Sequence, residues 1–184
     1  VNSPEWYDAV NEISAVDTEI IELKTDTENY QDAINELHWD KFDDLMSRLE
    51  AVSSETENLI DILGNKDLVD DSGNWTDEGI TTLGLYAQQM ENAEMQAKQY
   101  QEEIDYLNEN WKELGYTEQE YLEKLEELKD GQYDAIDSYN DAKDAIVDLN
   151  KERVDAIKNG IEKEIEAYEK LIEKKKEELD AEKD

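Results

Sequence analysis

The chain has 184 residues, with 52 acidic and 18 basic side chains, a formal net charge of −34, one histidine and no cysteine. These counts exclude disulfides, thiolate nucleophiles and Cys-based metal sites, and a lone His excludes His-pair metal motifs such as H-E-x-x-H. So negative a chain cannot gain affinity by neutralising phosphates, which argues against nucleic acid and anionic lipid as partners.

No apolar run approaches the ~20 residues of a transmembrane helix, so no membrane partner is expected in this segment. With one Pro and seven Gly, and abundant Glu, Leu, Ala and Lys, the composition is that of long helices. The opening Val1-Asn2-Ser3-Pro4 is not basic and lacks Met, and the chain closes on the charged Ala181-Glu182-Lys183-Asp184. These ends read as a piece cut from a longer chain, and the start does not read as a signal peptide.

The first helix is expected over 4–63. Ser3 can cap it, and Pro4 suits the first helical position because its missing N–H would be unpaired there anyway. Ile13, Val16, Ile20, Leu23, Thr27, Tyr30, Ile34 and Leu37 alternate by three and four, a heptad seam. A second seam runs through Phe42, Leu45, Leu49, Val52, Thr56, Leu59 and Leu63. The five-residue step from Leu37 to Phe42 shifts the seam near His38-Trp39 and predicts a change of supercoil or of partner there.

Residues 64–76, rich in Asp, Ser, Gly and Asn, read as a loop. Thr76, followed by Asp77 and Glu78, reads as an N-cap with acids facing the positive end of the helix dipole. The second helix is expected over 77–114, with Leu83, Tyr86, Met90, Ala93, Ala97, Tyr100, Ile104, Leu107, Trp111 and Leu114 as its seam. A turn at 115–117 follows. Thr117 and Glu120 form a capping box for a third helix over 118–180. So short a turn makes helices two and three antiparallel neighbours. The third seam holds Leu125, Leu128, Ala135, Tyr139, Ala142, Ile146 and Leu149, shifts by one after Arg153, and continues as Ile157, Ile161, Tyr168 and Leu171.

At 1.5 Å per residue the outer helices reach roughly 90 Å and the middle one roughly 57 Å. The expected fold is therefore all-α: an elongated antiparallel three-helix bundle or coiled coil, one module over 1–184, with helix ends projecting beyond the middle helix. Asp44–Arg48, Glu94–Lys98, Glu120–Lys124 and Glu166–Lys170 are spaced for helical ion pairs of roughly 0.2–0.5 kcal/mol each.

Nothing here reads as an enzyme. Acid–base chemistry needs a carboxyl whose pKa is shifted by an apolar or like-charged pocket, and a solvated helix face offers none. Asp67, Asp70, Asp71 and Asn74 suggest a calcium loop, but D-x-[DN]-x-[DN]-G-x5-E cannot be placed on them, so a polar turn is expected and no metal or cofactor. Lys170 and Lys174–Lys176 sit among enough acids to read as a solvated face. Trp111 and most tyrosines fall in the seams and read as core. Trp75 is expected to pack on a helix end. Trp6, Ile13, Val16, Ile20 and Leu23 lie on the part of helix one that has no partner and are the candidate contacts for another chain. Trp39, at the seam shift, reads as core filler or as a further contact.

Asn110-Trp-Lys-Glu-Leu-Gly-Tyr-Thr-Glu-Gln-Glu-Tyr121, the loop from Asp70 to Gly79, Leu37 to Asp43, and the runs 144–158 and 162–184 resemble tail tape-measure proteins of phages and prophages from Gram-positive gut bacteria. The resemblance spans most of the chain, and its turns are its more specific part, because heptads do not dictate turn chemistry. It implies a structural role: long helical chains that fill a tail lumen during assembly, set tail length and leave ahead of the DNA. It also implies partners, namely other copies of the chain, tail tube and tip proteins and assembly chaperones, and a location in the virion tail after assembly in the bacterial cytoplasm. A folded-back segment does not measure its contour length, so it is either a folded module or a hairpin that opens on assembly. The alternative is a partner-binding coiled-coil adaptor of a bacterial protein.

Overall fold

A computed structural model describes the backbone of residues 4–181 and the side chains of 15–178 other than Asp17, Thr27 and Glu28. Three helices follow in chain order: α1 (Pro4–Leu63), α2 (Asp77–Asn110) and α3 (Glu118–Ala181). Contacts fix their directions. Going up α1, Asn35 meets Leu114, His38 meets Glu103 and Ser53 meets Asn92, so α2 runs antiparallel. Tyr121 reaches back to Asn108 and Gln132 to Ala97, so α3 is antiparallel to α2 and parallel to α1. Among the described residues no Cα of α1 lies within 8 Å of one of α3. The bundle is thus centred on α2, which packs one flank on each long helix.

The core lies where side chains of all three helices converge: Phe42, Met46 and Leu49 from α1, Ile104 and Leu107 from α2, Leu128 from α3, with Leu114 beside them. Leu107 is 0% and Leu128 1% exposed. Trp39 and Tyr100 set their rings edge-on against Phe42, the offset geometry that aromatic quadrupoles favour. Further along, Ala93, Ala135 and Ala142 are buried. Their small side chains let α2 and α3 approach closely.

The α1 seam needs a correction. Phe42, Leu49 and Thr56 are buried as expected, but Leu45, Val52 and Leu59 are exposed; Met46 and Ile60 are buried in their place. Residues i+3 and i+4 flank opposite sides of position i, and α2 approaches on the i+4 side. Asn92 anchors it there: its Nδ2 donates to Leu49 O at 2.8 Å and to Ser53 Oγ at 2.6 Å. The seam shift at 37–42 falls where α1 meets α2. There Asn35 Nδ2 donates to Leu114 O at 2.7 Å, and His38 stacks on Tyr106 with its Nε2 2.6 Å from Glu103 Oε2.

The second helix also ends earlier than the expected 114. Regular geometry stops at Asn110. Residues 111–115 close as a Schellman motif: Tyr116 N–H donates to Trp111 O, Gly115 N–H to Lys112 O, and Gly115 takes φ +78°. Gly115 is the sequence signal for this ending, but the motif itself occupies the final turn, which leaves the regular helix four residues shorter. Glu120 Oε2 accepts from Thr117 N and Oγ1 at 2.8 and 2.7 Å, which starts α3 and holds the Glu120 carboxyl below the usual carboxylate range.

The 64–76 loop folds as a small hairpin. Val69 and Trp75 pair as an antiparallel bridge. Asp70 Oδ1 accepts from Ser72 N and Asn74 N, and its Oδ2 from Asn74 Nδ2. These donors, Asn74 first, lower the Asp70 pKa and occupy the carboxylate from within the loop. Gly73 sits at φ +79°, and a Cβ there would overlap the Ile157 side chain. Arg153 Nε donates to Gly73 O at 3.0 Å, and its guanidinium lies over the Trp75 ring. The hairpin is therefore docked on α3 around residues 153–160.

Few surface charges are compensated. Asp44–Arg48 forms at 2.8 Å, whereas Lys98 pairs with Glu102; Lys124 pairs with Glu127, while Thr117 holds Glu120. With a net charge of −34, self-repulsion opposes lateral packing. Raising ionic strength from about 0.01 to about 0.1 M, which shortens the Debye length from roughly 30 to 10 Å, is expected to raise the melting temperature in a circular dichroism melt. A fall would show that ion pairs, not repulsion, dominate the surface.

Candidate functional site

The three helices cover one another only over the length of α2. On the N-terminal side of Asn35, α1 leaves the bundle; on the C-terminal side of Gly160, α3 passes the hairpin and leaves at the opposite end. The described side chains of both arms are exposed apart from half-buried Gln31, which donates to Asn35 at 3.1 Å. On the α1 arm, Val16, Ile20 and Leu23 are 53%, 57% and 66% exposed, and Tyr30, Ile34 and Leu37 continue the stripe. On the α3 arm the exposed apolar residues are Ile161, Ile165, Tyr168, Leu171 and Ile172.

Of the residues read as partner contacts, the structure thus places Val16, Ile20 and Leu23 together on one exposed stripe. The side chains of Trp6 and Ile13 lie outside the described residues. Trp39 sits apart from them, half-buried against the core cluster, with Lys124 Nζ 4.8 Å from its ring centre. Its indole N–H is buried without an acceptor. Sequence reasoning missed the exposed α1 flank of Leu45, Val52 and Leu59, which it had assigned to the seam. It also missed Asn35 and Asn92, whose position off the heptad seams gave no signal.

A groove of about 590 Å³ opens between the three helices, lined by Ser53, Tyr86, Ala93, Gln96, Ser138 and Ala142 among others. It exists because small side chains face it at the level where α1 stays clear of α3. Among the described residues no three His, Asp or Glu side chains converge as a metal site would require, and no helix is long and apolar enough to cross a membrane.

Among the described residues, exposed apolar stripes stand on the arms of α1 and α3 that extend past α2. Removing apolar surface from water yields roughly 25 cal/mol per Å², so these stripes are where another helix would gain most. No family model, no curated protein and no solved structure matches the chain.

Proposed function

We propose that this chain is a structural, non-catalytic segment of a tail tape-measure protein: a helical rod that takes part in tail-length determination and tail assembly, located in the virion tail. The observation that supports this reading is the pair of helices of 60 and 64 residues whose ends extend past the bundle with their apolar stripes uncovered. A helix is a ruler, and a rod with uncovered stripes at both ends is suited to building a longer one.

In-frame deletion of the segment, followed by electron microscopy of the tails, tests this. α1 with the α3 arm spans roughly 120 Å, whereas the same residues opened into one helix would span roughly 275 Å. Tails shortened by the smaller figure mean the bundle acts folded; by the larger, that it opens. Tails of unchanged length, from which mass spectrometry finds no peptide of the undeleted chain, refute the reading.

A further inference from the structure

The gap between α1 and α3 is walled by two rows of carboxylates. Asp43, Glu50 and Glu57 step by seven along α1, and Glu127, Asp134 and Asp141 step by seven along α3. A step of seven returns close to the same side of a helix, so each row keeps to one flank. Ser53–Asn92 on one side of α2 and Gln132–Ala97 on the other set the rows roughly level: Asp43 with Glu127, Glu50 with Asp134, Glu57 with Asp141. The rows also face one another. Glu50, Glu57 and Asp141 all border the groove of about 590 Å³. Next to it, Tyr100 lies between Phe42 of α1 and Gly131 of α3. Burial first, then Glu50, Asp134, Glu127 and Asp43, push its hydroxyl pKa up, so carboxylates of both helices lie around one hydroxyl.

Cations are kept off these walls. Among the described residues no Lys or Arg lines the groove, and of the six acids Glu127 is paired, with Lys124 at 3.0 Å. Lys41 and Arg48 precede Asp43 and Glu50 by two residues, which puts them about 160° round α1 from the row. Like charges set level across a gap repel, so this is where an added cation gains most. Charge thus specifies the occupant's sign, and spacing specifies its form. Both walls repeat every ~10.5 Å, the rise of seven helical residues, as do the flanks of a helix laid between them; the amines of a flexible polyamine stand much closer together. The groove's small side chains, Ser54 on α1 and Ser138, Ala142 and Ala145 on α3, leave room for a helix to settle against them.

We propose that the trough between α1 and α3 binds a basic helix of another protein, with small residues on the face that enters the groove and Lys or Arg on both flanks, so that a four-helix bundle is completed. The inference stands on the trough alone and does not rest on the tail reading.

Titration of the full chain with a synthetic helical peptide of three heptads, Ala and Leu on one face and Lys on both flanks, tests it by calorimetry. The peptide is expected to bind, more weakly as salt rises, and its Glu-flanked counterpart not to bind. Joint replacement Glu50→Gln, Glu57→Gln, Asp134→Asn and Asp141→Asn is expected to weaken binding about tenfold, the loss of four rim pairs of exposed strength. Glu162→Gln, Glu166→Gln, Glu169→Gln and Glu173→Gln, the same change of net charge on the exposed α3 arm, is expected to leave the affinity unchanged. Ser138→Trp, at an exposed position of the groove wall, fills the groove without altering charge and is expected to abolish binding. The proposal is overturned if the two charge variants weaken binding equally, which would mean that net charge alone attracts the peptide. It is equally overturned if Ser138→Trp binds like the parent, if the Lys peptide does not bind at low salt, or if spermidine binds as tightly as the peptide with the same loss in the rim variant, which would make the trough a site for a small polycation.

Discussion

Replacing Leu107 by alanine is expected to destabilise the bundle by roughly 2–5 kcal/mol, the range for emptying a buried leucine site. Leu107 is fully buried and belongs to the one cluster that joins Phe42 of α1 to Leu128 of α3. Three rigid helices bound the space, so it collapses poorly and the cavity term adds to the lost transfer free energy. In a chain of this length each kcal/mol moves the melting temperature by roughly 2–4 °C, so a fall of order 10 °C is expected by calorimetry. Leu122→Ala, at a position on α3 that is exposed, should move it little, since surface truncations stay within about 0.5 kcal/mol. Equal effects of the two would mean that the helices do not converge at Leu107.

Gly73→Ala is expected to detach the hairpin from α3. The left-handed φ at Gly73 costs an L-residue roughly 1–2 kcal/mol, and the new methyl would overlap Ile157, adding roughly 1–3 kcal/mol of overpacking. The loop can escape both by undocking, so the loss is capped at the free energy of local opening rather than carried by the whole bundle. The expected signature is therefore local. Amide exchange should accelerate at 68–76 and along α3 near Arg153, whose bond to Gly73 O is lost, while the amides around Leu107 keep their protection. Arg153→Ala should reproduce part of this, because it removes the Gly73 bond and the cation over Trp75 without the steric conflict. Uniform acceleration through α2 would instead show that the hairpin is part of the cooperative unit.

The helices, their caps and the two turns were legible in the sequence because they rest on local rules. Pro and Gly are scarce, Thr76 and Thr117 each stand before acidic first turns, and Gly115 marks an ending. The ten seam residues expected for the second helix are all buried or half-buried, since a middle helix packed on both flanks covers the apolar residues of its seam, while Ile80 and Met95, off the seam, stay exposed. The covered flank of α1 was not legible. Phe42 and Thr56 have apolar neighbours at both i+3 and i+4, so spacing alone cannot choose between Leu45 and Met46 or between Leu59 and Ile60. That choice is made by the side from which α2 approaches, which Asn92 fixes through Leu49 O and Ser53. The sequence determined that Val16, Ile20 and Leu23, like Ile161, belong to heptad stripes, and the helix lengths placed the ends of the outer helices beyond the middle one. Only the tertiary structure decided which flank of α1 is covered, because burial depends on what lies opposite, and the residues of a seam do not encode that.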